Sequence, residues 1–195
     1  MVKKYTDKQL IDKVKATNGF KSIPKDYWLL GVRSQEDAYN SFDDKVYLFK
    51  GEKCELVTAC TTNPGGPALL GGWRKYTKTG AAVIKADEWY YDVYRYGLHN
   101  GKMPALRQHG KMKYYRDANN DKKVDEVGKV EEAIYYTNFH FNSYKVFDKI
   151  KNLVNNLIGE WSYGCVVCNG EDDYEKIIGL TKAQSSVTFC LIKEF

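Results

Sequence analysis

Apolar residues fall in short runs separated by polar turns along much of this chain, the pattern of strands. Short runs rich in β-branched and aromatic residues read this way at 27–32, 45–49, 55–60, 81–84, 89–94, 105–108, 111–116, 134–141 and 187–192. Three stretches carry a helical period instead. Thr6-Asp7-Lys8-Gln9 has the form of a capping box ahead of Leu10, Ile11 and Val14, and Asn18-Gly19 supplies a stop, so the spacing predicts a helix over 7–17. Asn142-Ser143 can cap a second, whose apolar positions Val146, Phe147, Ile150, Leu153, Val154, Leu157 and Ile158 keep a 3.6 repeat up to Gly159. A third is predicted over 172–180. Residues 63–72 hold four glycines and two prolines and read as a long loop with the make-up of a flap over a site. Many short strands with about three helices make a mainly β or α+β domain.

A length of 195 residues fits one domain. Residues 1–22 read as an N-terminal helix and lead-in, and 23–195 as a single catalytic domain. Sixteen tyrosines dominate the aromatic residues, which favours half-buried strands and a groove that grips polar ligands. The net charge of +5 is scattered along the chain without a basic block, so nucleic acid is not an expected partner, whereas anionic surfaces such as cell wall are. No apolar run is long enough to cross a bilayer, and the N-terminus lacks a signal peptide's apolar core, so the expected protein is a monomer made in the cytoplasm. Five cysteines without a close-spaced framework fit reduced thiols.

Candidate chemistry concentrates at Trp161-Ser162-Tyr163-Gly164-Cys165-Val166-Val167. Gly164 lets the backbone turn sharply and approach a substrate, with a thiol directly after it. Upstream, His140 lies between Phe139 and Phe141 on a predicted strand. A cysteine and a histidine brought together by the fold are the minimum equipment of a thiol nucleophile. In that arrangement Cys165 attacks, His140 takes its proton, and the backbone N–H groups of Gly164 and Cys165 face the oxyanion. The bland alternatives are a small apolar cysteine in a core strand and a core histidine with satisfied nitrogens. His99, between Gly97 and Gly101, sits in a turn that either lines the same cleft or lies on the surface.

His140 followed by Ser162-Tyr163-Gly164-Cys165-Val166 resembles the signature of the L,D-transpeptidase-like fold, where a histidine precedes a Ser-x-Gly-Cys motif carrying the nucleophile. The wider chain resembles a phage and prophage branch related to those enzymes. The matching segments are Phe42-Asp43-Asp44, Thr61-Thr62-Asn63-Pro64-Gly65, Gly97-Leu98-His99-Asn100-Gly101-Lys102, Ala105-Leu106-Arg107-Gln108 and Arg116-Asp117, so the resemblance spans roughly 27–180. It implies a β-sandwich or open barrel with about three peripheral helices, and catalysis through a Cys165 thioester with Ser162 and Gly164 in the catalytic motif. It also implies that the second nitrogen of His140 is held by a backbone carbonyl or a polar side chain. Three departures stand out. Tyr163 replaces the histidine of the best-known transpeptidases, Val167 replaces the arginine that receives the substrate carboxylate, and the 25-residue step from His140 to Cys165 is long. Arg107, Arg116 or a lysine is left to take the carboxylate, with His99 and Tyr163 as further substrate contacts.

The expected function is that of an endolysin-like enzyme, an L,D-endopeptidase, carboxypeptidase or transpeptidase acting on peptidoglycan stems. It would wait in the cytoplasm until released to the host wall, and it needs no cofactor. A wall-binding or virion structural domain without catalysis is the rival, and fast iodoacetamide labelling of Cys165 relative to Cys54, Cys60 or Cys190 is the expected discriminator. A thiol–disulfide protein is the third reading. Cys165-Val166-Val167-Cys168 has redox and zinc half-site spacing, but a strand would point the two thiols to opposite sides, and no second close pair completes a zinc set. Residues Asp117 to Asp125 resemble a calcium loop of the D-x-N-x-D type, with Lys122 where glycine is wanted; an Asn/Asp-rich turn explains the same letters.

Overall fold

Strand β1 (Tyr27–Arg33) shows how such an apolar run becomes architecture. Leu29 faces a core shared with Val46 and Leu48 of β2 (Asp44–Lys50) and with Phe189 and Leu191 of β11 (Val187–Lys193). The alternate residues Trp28, Leu30 and Val32 join Tyr47, Phe49, Cys190 and Ile192 in a second core, covered by Leu10, Ile11 and Val14 of α1 (Asp7–Lys15). These strands are therefore apolar on both faces, and each large side chain withdrawn from water contributes roughly 1.5–3 kcal/mol. The capping box of α1 forms as expected: Gln9 N donates to Thr6 Oγ1 at 3.3 Å and Thr6 N to Gln9 Oε1 at 2.9 Å.

The structure, a computed structural model, describes residues 1–145 and 156–195. The remaining elements are β3 (Lys53–Thr61), α2 (Gly66–Leu69), β4 (Ala81–Ile84), β5 (Glu88–His99), β6 (Met103–Gln108), β7 (Met112–Asp117), β8 (Glu131–Ala133), β9 (Phe139–Phe141), β10 (Val166–Cys168) and α3 (Glu171–Thr181). Eight strands close a barrel in the order β1-β11-β5-β6-β9-β10-β3-β2, with β2 pairing back onto β1. The pairs β1–β11 and β9–β10 are parallel. A separate three-stranded sheet, β4-β7-β8, lies outside the barrel. The expected mainly β domain with few helices is what forms. Among the described residues no helix is long and apolar enough to cross a membrane.

The predicted helix after Asn142-Ser143 has Val146, Phe147, Ile150, Leu153 and Val154 outside the described residues. The strand expected over 134–141 forms only at Phe139–Phe141. Ahead of it the Gln108 side chain takes the place of a ladder partner, its Oε1 accepting from Tyr135 N and Thr137 N at 3.0 Å each while its Nε2 donates to Ala133 O. Residues 63–72 are no flap. Asn63 and Leu69 are buried, α2 forms within the segment, and Gly65 packs so tightly that a Cβ there would lie 2.1 Å from the Gly159 carbonyl oxygen.

Candidate functional site

The parallel pairing of β9 with β10 places Val166 opposite Phe139, Val167 opposite His140 and Cys168 opposite Phe141. Phe139, Phe141, Val166 and Cys168 fill the barrel core. His140 and Val167 point the other way, and Cys165, two residues before Val167, lies on their side. Cys165 and Cys168 therefore face apart, one half-buried beside a cleft and the other sealed in the barrel core. The two thiols of the C-x-x-C spacing thus do not share a face, as the strand reading expects.

The turn carrying Cys165 is built by glycine and serine. Gly164 has φ +131°, and a Cβ on it would lie 2.6 Å from the Ala82 carbonyl oxygen, so only glycine fits. Ser162 is fully buried: its Oγ accepts from Gly164 N at 3.2 Å and lies 2.9 Å from both the Asn63 and Cys165 carbonyl oxygens. Gly65 N donates to the Ser162 carbonyl at 2.8 Å. The structure thus places Ser162 and Gly164 as positioning groups behind the thiol. The Gly164 N–H, expected to face an oxyanion, is already engaged by Ser162.

Three side chains converge. One nitrogen of His99, one of His140 and Cys165 Sγ all lie within 4.8 Å of one another. The two imidazoles stack with centroids 4.0 Å apart. His140 is fully buried; its Nδ1 is 2.7 Å from the Phe141 carbonyl oxygen, which makes Nδ1 the protonated nitrogen. Its Nε2 is buried and makes no hydrogen bond of good geometry, the Trp161 backbone carbonyl being close enough only to oppose the fall of its pKa. Burial, with a smaller push from His99, drives the His140 pKa down to about 3. Burial likewise pushes the Cys165 thiol up to about 12, against a weaker pull from the Asn138 backbone amide. At neutral pH the resting pair is a thiol beside a neutral imidazole. His99 also has a lowered pKa, first from burial and then from the charge of Arg107.

Cys165 and His99 open onto a cleft of about 700 Å³ between the barrel and the outer sheet, also lined by Ala82, Arg116, Tyr136, Tyr144, Trp161 and Tyr163. Tyr163 meets Tyr76 edge-on at 4.8 Å. Arg107, expected as a substrate contact, is exposed on β6 and lines no part of the cleft; it acts on the site only through its charge. Among the described lining residues Arg116 is the one guanidinium or ammonium group. It stacks 3.9 Å from the Tyr135 ring centroid, and its Nε donates to Glu131 at 2.9 Å. In the 117–125 turn the carboxylates order the backbone: Asp125 N donates to Asp117 at 3.1 Å and Lys123 N to Asp121 at 2.7 Å.

Compared with protein-family models, curated proteins and solved structures, the chain matches none. The site's own geometry and the Ser-x-Gly-Cys motif carry the functional reading.

That geometry revises the labelling expectation. With its thiol pKa near 12, Cys165 holds little thiolate at neutral pH, so fast iodoacetamide labelling does not follow. Its alkylation rate is expected to climb about tenfold per pH unit from roughly pH 6 to 9, because below the pKa the thiolate fraction scales with hydroxide. Peptide mapping of the label checks this; a plateau near neutrality would contradict the neutral pair. Sequence reasoning missed Asn138, Asn100 and the Tyr136 carbonyl, which sits 3.8 Å from Cys165 Sγ. Asn138, a polar residue directly before an apolar strand, was the one legible signal among them.

Proposed function

We propose that this protein is a cysteine-dependent acyl-transferring enzyme that hydrolyses peptide stems of peptidoglycan. The observation that carries the chemistry is the buried His140 ring that clusters with the Cys165 sulfur, its Nδ1–H committed to Phe141 and its Nε2 without a hydrogen bond of good geometry. A lone pair in that state is satisfied by an incoming proton or donor, and the cluster's thiol carries a proton to give. As Sγ attacks the substrate carbonyl carbon, the S–H proton passes to Nε2, the C–S bond forms and the carbonyl electron pair moves to oxygen. Collapse expels the amine, which leaves with the proton from His140, and water resolves the thioester. The neutral resting pair means that thiolate and imidazolium form during attack and not before it. The substrate class is drawn from the motif's likeness to L,D-transpeptidase-like enzymes.

Arg116 supplies the carboxylate anchor that Val167 does not. Arg116→Gln is expected to raise KM by about 10–100-fold on stems with a free terminal carboxylate, the scale of one charge-assisted hydrogen bond, and to leave amidated stems nearly unchanged. Mass spectrometry of fragments from defined muropeptides reads both; equal losses on both stems would remove Arg116 from substrate binding. A wall-binding domain without catalysis is favoured by one observation, the aromatic lining of the cleft by Trp73, Tyr76, Tyr136, Tyr144 and Trp161. It predicts muropeptide binding with no fragment released.

A further inference from the structure

An acyl transfer through Cys165 needs donors at the developing oxyanion, and the motif provides too few. With the Gly164 N–H held by Ser162 Oγ at 3.2 Å, the Cys165 N–H is the motif's remaining backbone donor. The hydrogen bonds around His99 locate another. Gln108 N donates to Asn138 Oδ1 at 2.9 Å, which fixes which end of the Asn138 amide is oxygen. The nitrogen end, 3.0 Å from His99 Nδ1, must then be the donor in that contact. A neutral imidazole whose Nδ1 accepts carries its hydrogen on Nε2. His99 Nε2 lies 3.0 Å from the exposed amide end of Asn100 that also lies 2.9 Å from the Tyr144 hydroxyl; with Nε2 protonated, that end is the amide oxygen, accepting from both.

The geometry points to His99 Nε2–H as an oxyanion donor of the proposed acyl transfer, held in that tautomer by Asn138 and Gln108. The assignment rests on the thioester reading of Cys165. It fits in distance: an oxyanion on a carbon bonded to Sγ lies about 2.7 Å from the sulfur and about 2.9 Å from its donor. One ring nitrogen of His99 lies within 4.8 Å of Sγ, which brings the imidazole to the edge of that reach. In that assignment the Asn100 amide oxygen stands in for the substrate oxygen, and displacing this exposed side chain breaks only its contacts with His99 and the Tyr144 hydroxyl. The same tautomer leaves neither His99 nitrogen with a spare lone pair, so the cluster is poorly disposed to hold a metal despite its ligand types. His99 would be a catalytic residue. Asn138 and Gln108 are positioning residues that act through it.

Two variants and one spectrum test this. His99→Phe keeps a ring stacked on His140 and removes the donor; kcat on a muropeptide is expected to fall about 10²–10³-fold with KM within about threefold. Asn138→Asp keeps the acceptor for Gln108 N but presents a carboxylate to Nδ1, which draws the imidazole hydrogen there and strips Nε2. The same kcat loss is expected, with melting temperature as the folding control; should Asn138→Asp fail to fold, His99→Phe decides. Long-range ¹⁵N–¹H correlation of the parent is expected to show His99 protonated at Nε2 and bare at Nδ1, and the reverse in Asn138→Asp. An active parent whose His99→Phe variant keeps its kcat within about threefold, or whose His99 hydrogen sits on Nδ1, overturns the assignment alone. A parent that turns over no muropeptide overturns the thioester reading and this inference with it, whatever the spectrum shows.

Discussion

Cys165→Ala is expected to lower muropeptide turnover by roughly 10⁴-fold or more, the scale on which removing a covalent nucleophile acts, and to leave the fold intact. The sulfur is half-buried and packs only at the edge of the small cluster of Phe42, Ile158 and Val167. Its loss should therefore cost about 1 kcal/mol of stability. Rate and melting temperature separate cleanly here: an inactive variant that melts near the parent has lost chemistry and not structure. A variant that digests purified sacculi at the parent's rate would remove the thiol from the mechanism.

Gly164→Ala is the second large effect, and it acts on stability first. The backbone at φ +131° is open to glycine, and a methyl group there meets the Ala82 carbonyl oxygen at 2.6 Å and the Ala82 Cβ at 2.9 Å. The strained backbone and the close approach together cost roughly 3 kcal/mol or more, about 10 °C in melting temperature for a chain of this size. The displaced turn also carries Cys165 away from His140, so activity should be lost even well below the new melting point. Gly179→Ala in α3 is the internal control, since nothing lies within 4 Å of its added Cβ and alanine favours a helix; it should be neutral or slightly stabilising. Equal melting temperatures for the two variants would mean that the Gly164 turn is not as tight as described.

The same contrast between local pattern and tertiary contact governs what could be read from the chain. Residues 45–49 and 187–192 announce strands because their two faces enter two different cores, and a short run with apolar residues on both sides is a local property. Thr6 and Gln9 announce the start of α1 for the same reason. The closure of the barrel through β2 and β1 joins segments already adjacent in the pattern, but no local signal says that β5 should lie against β11. The irregular path from Ala133 to Asn138 was hidden because Gln108, distant in sequence, satisfies its amides. Tyr136, at φ +58°, shows how far that path departs from a strand. At the site, the alternation Phe139-His140-Phe141 put the imidazole on the outer face in plain view. Arg107 misled because strand parity, not charge, decides which arginine meets the cleft, and Arg116 sits on the outer sheet that forms the other wall.

The central claim is that Cys165 carries the acyl group while His140 handles its proton. Rapid-quench intact-mass spectrometry of the parent protein with a defined disaccharide-tetrapeptide tests it most directly. The account predicts a stem-acyl adduct mapping to Cys165 that appears before free product and is absent when His140 is replaced by phenylalanine. Product released at full rate while Cys165 stays unmodified throughout would contradict it.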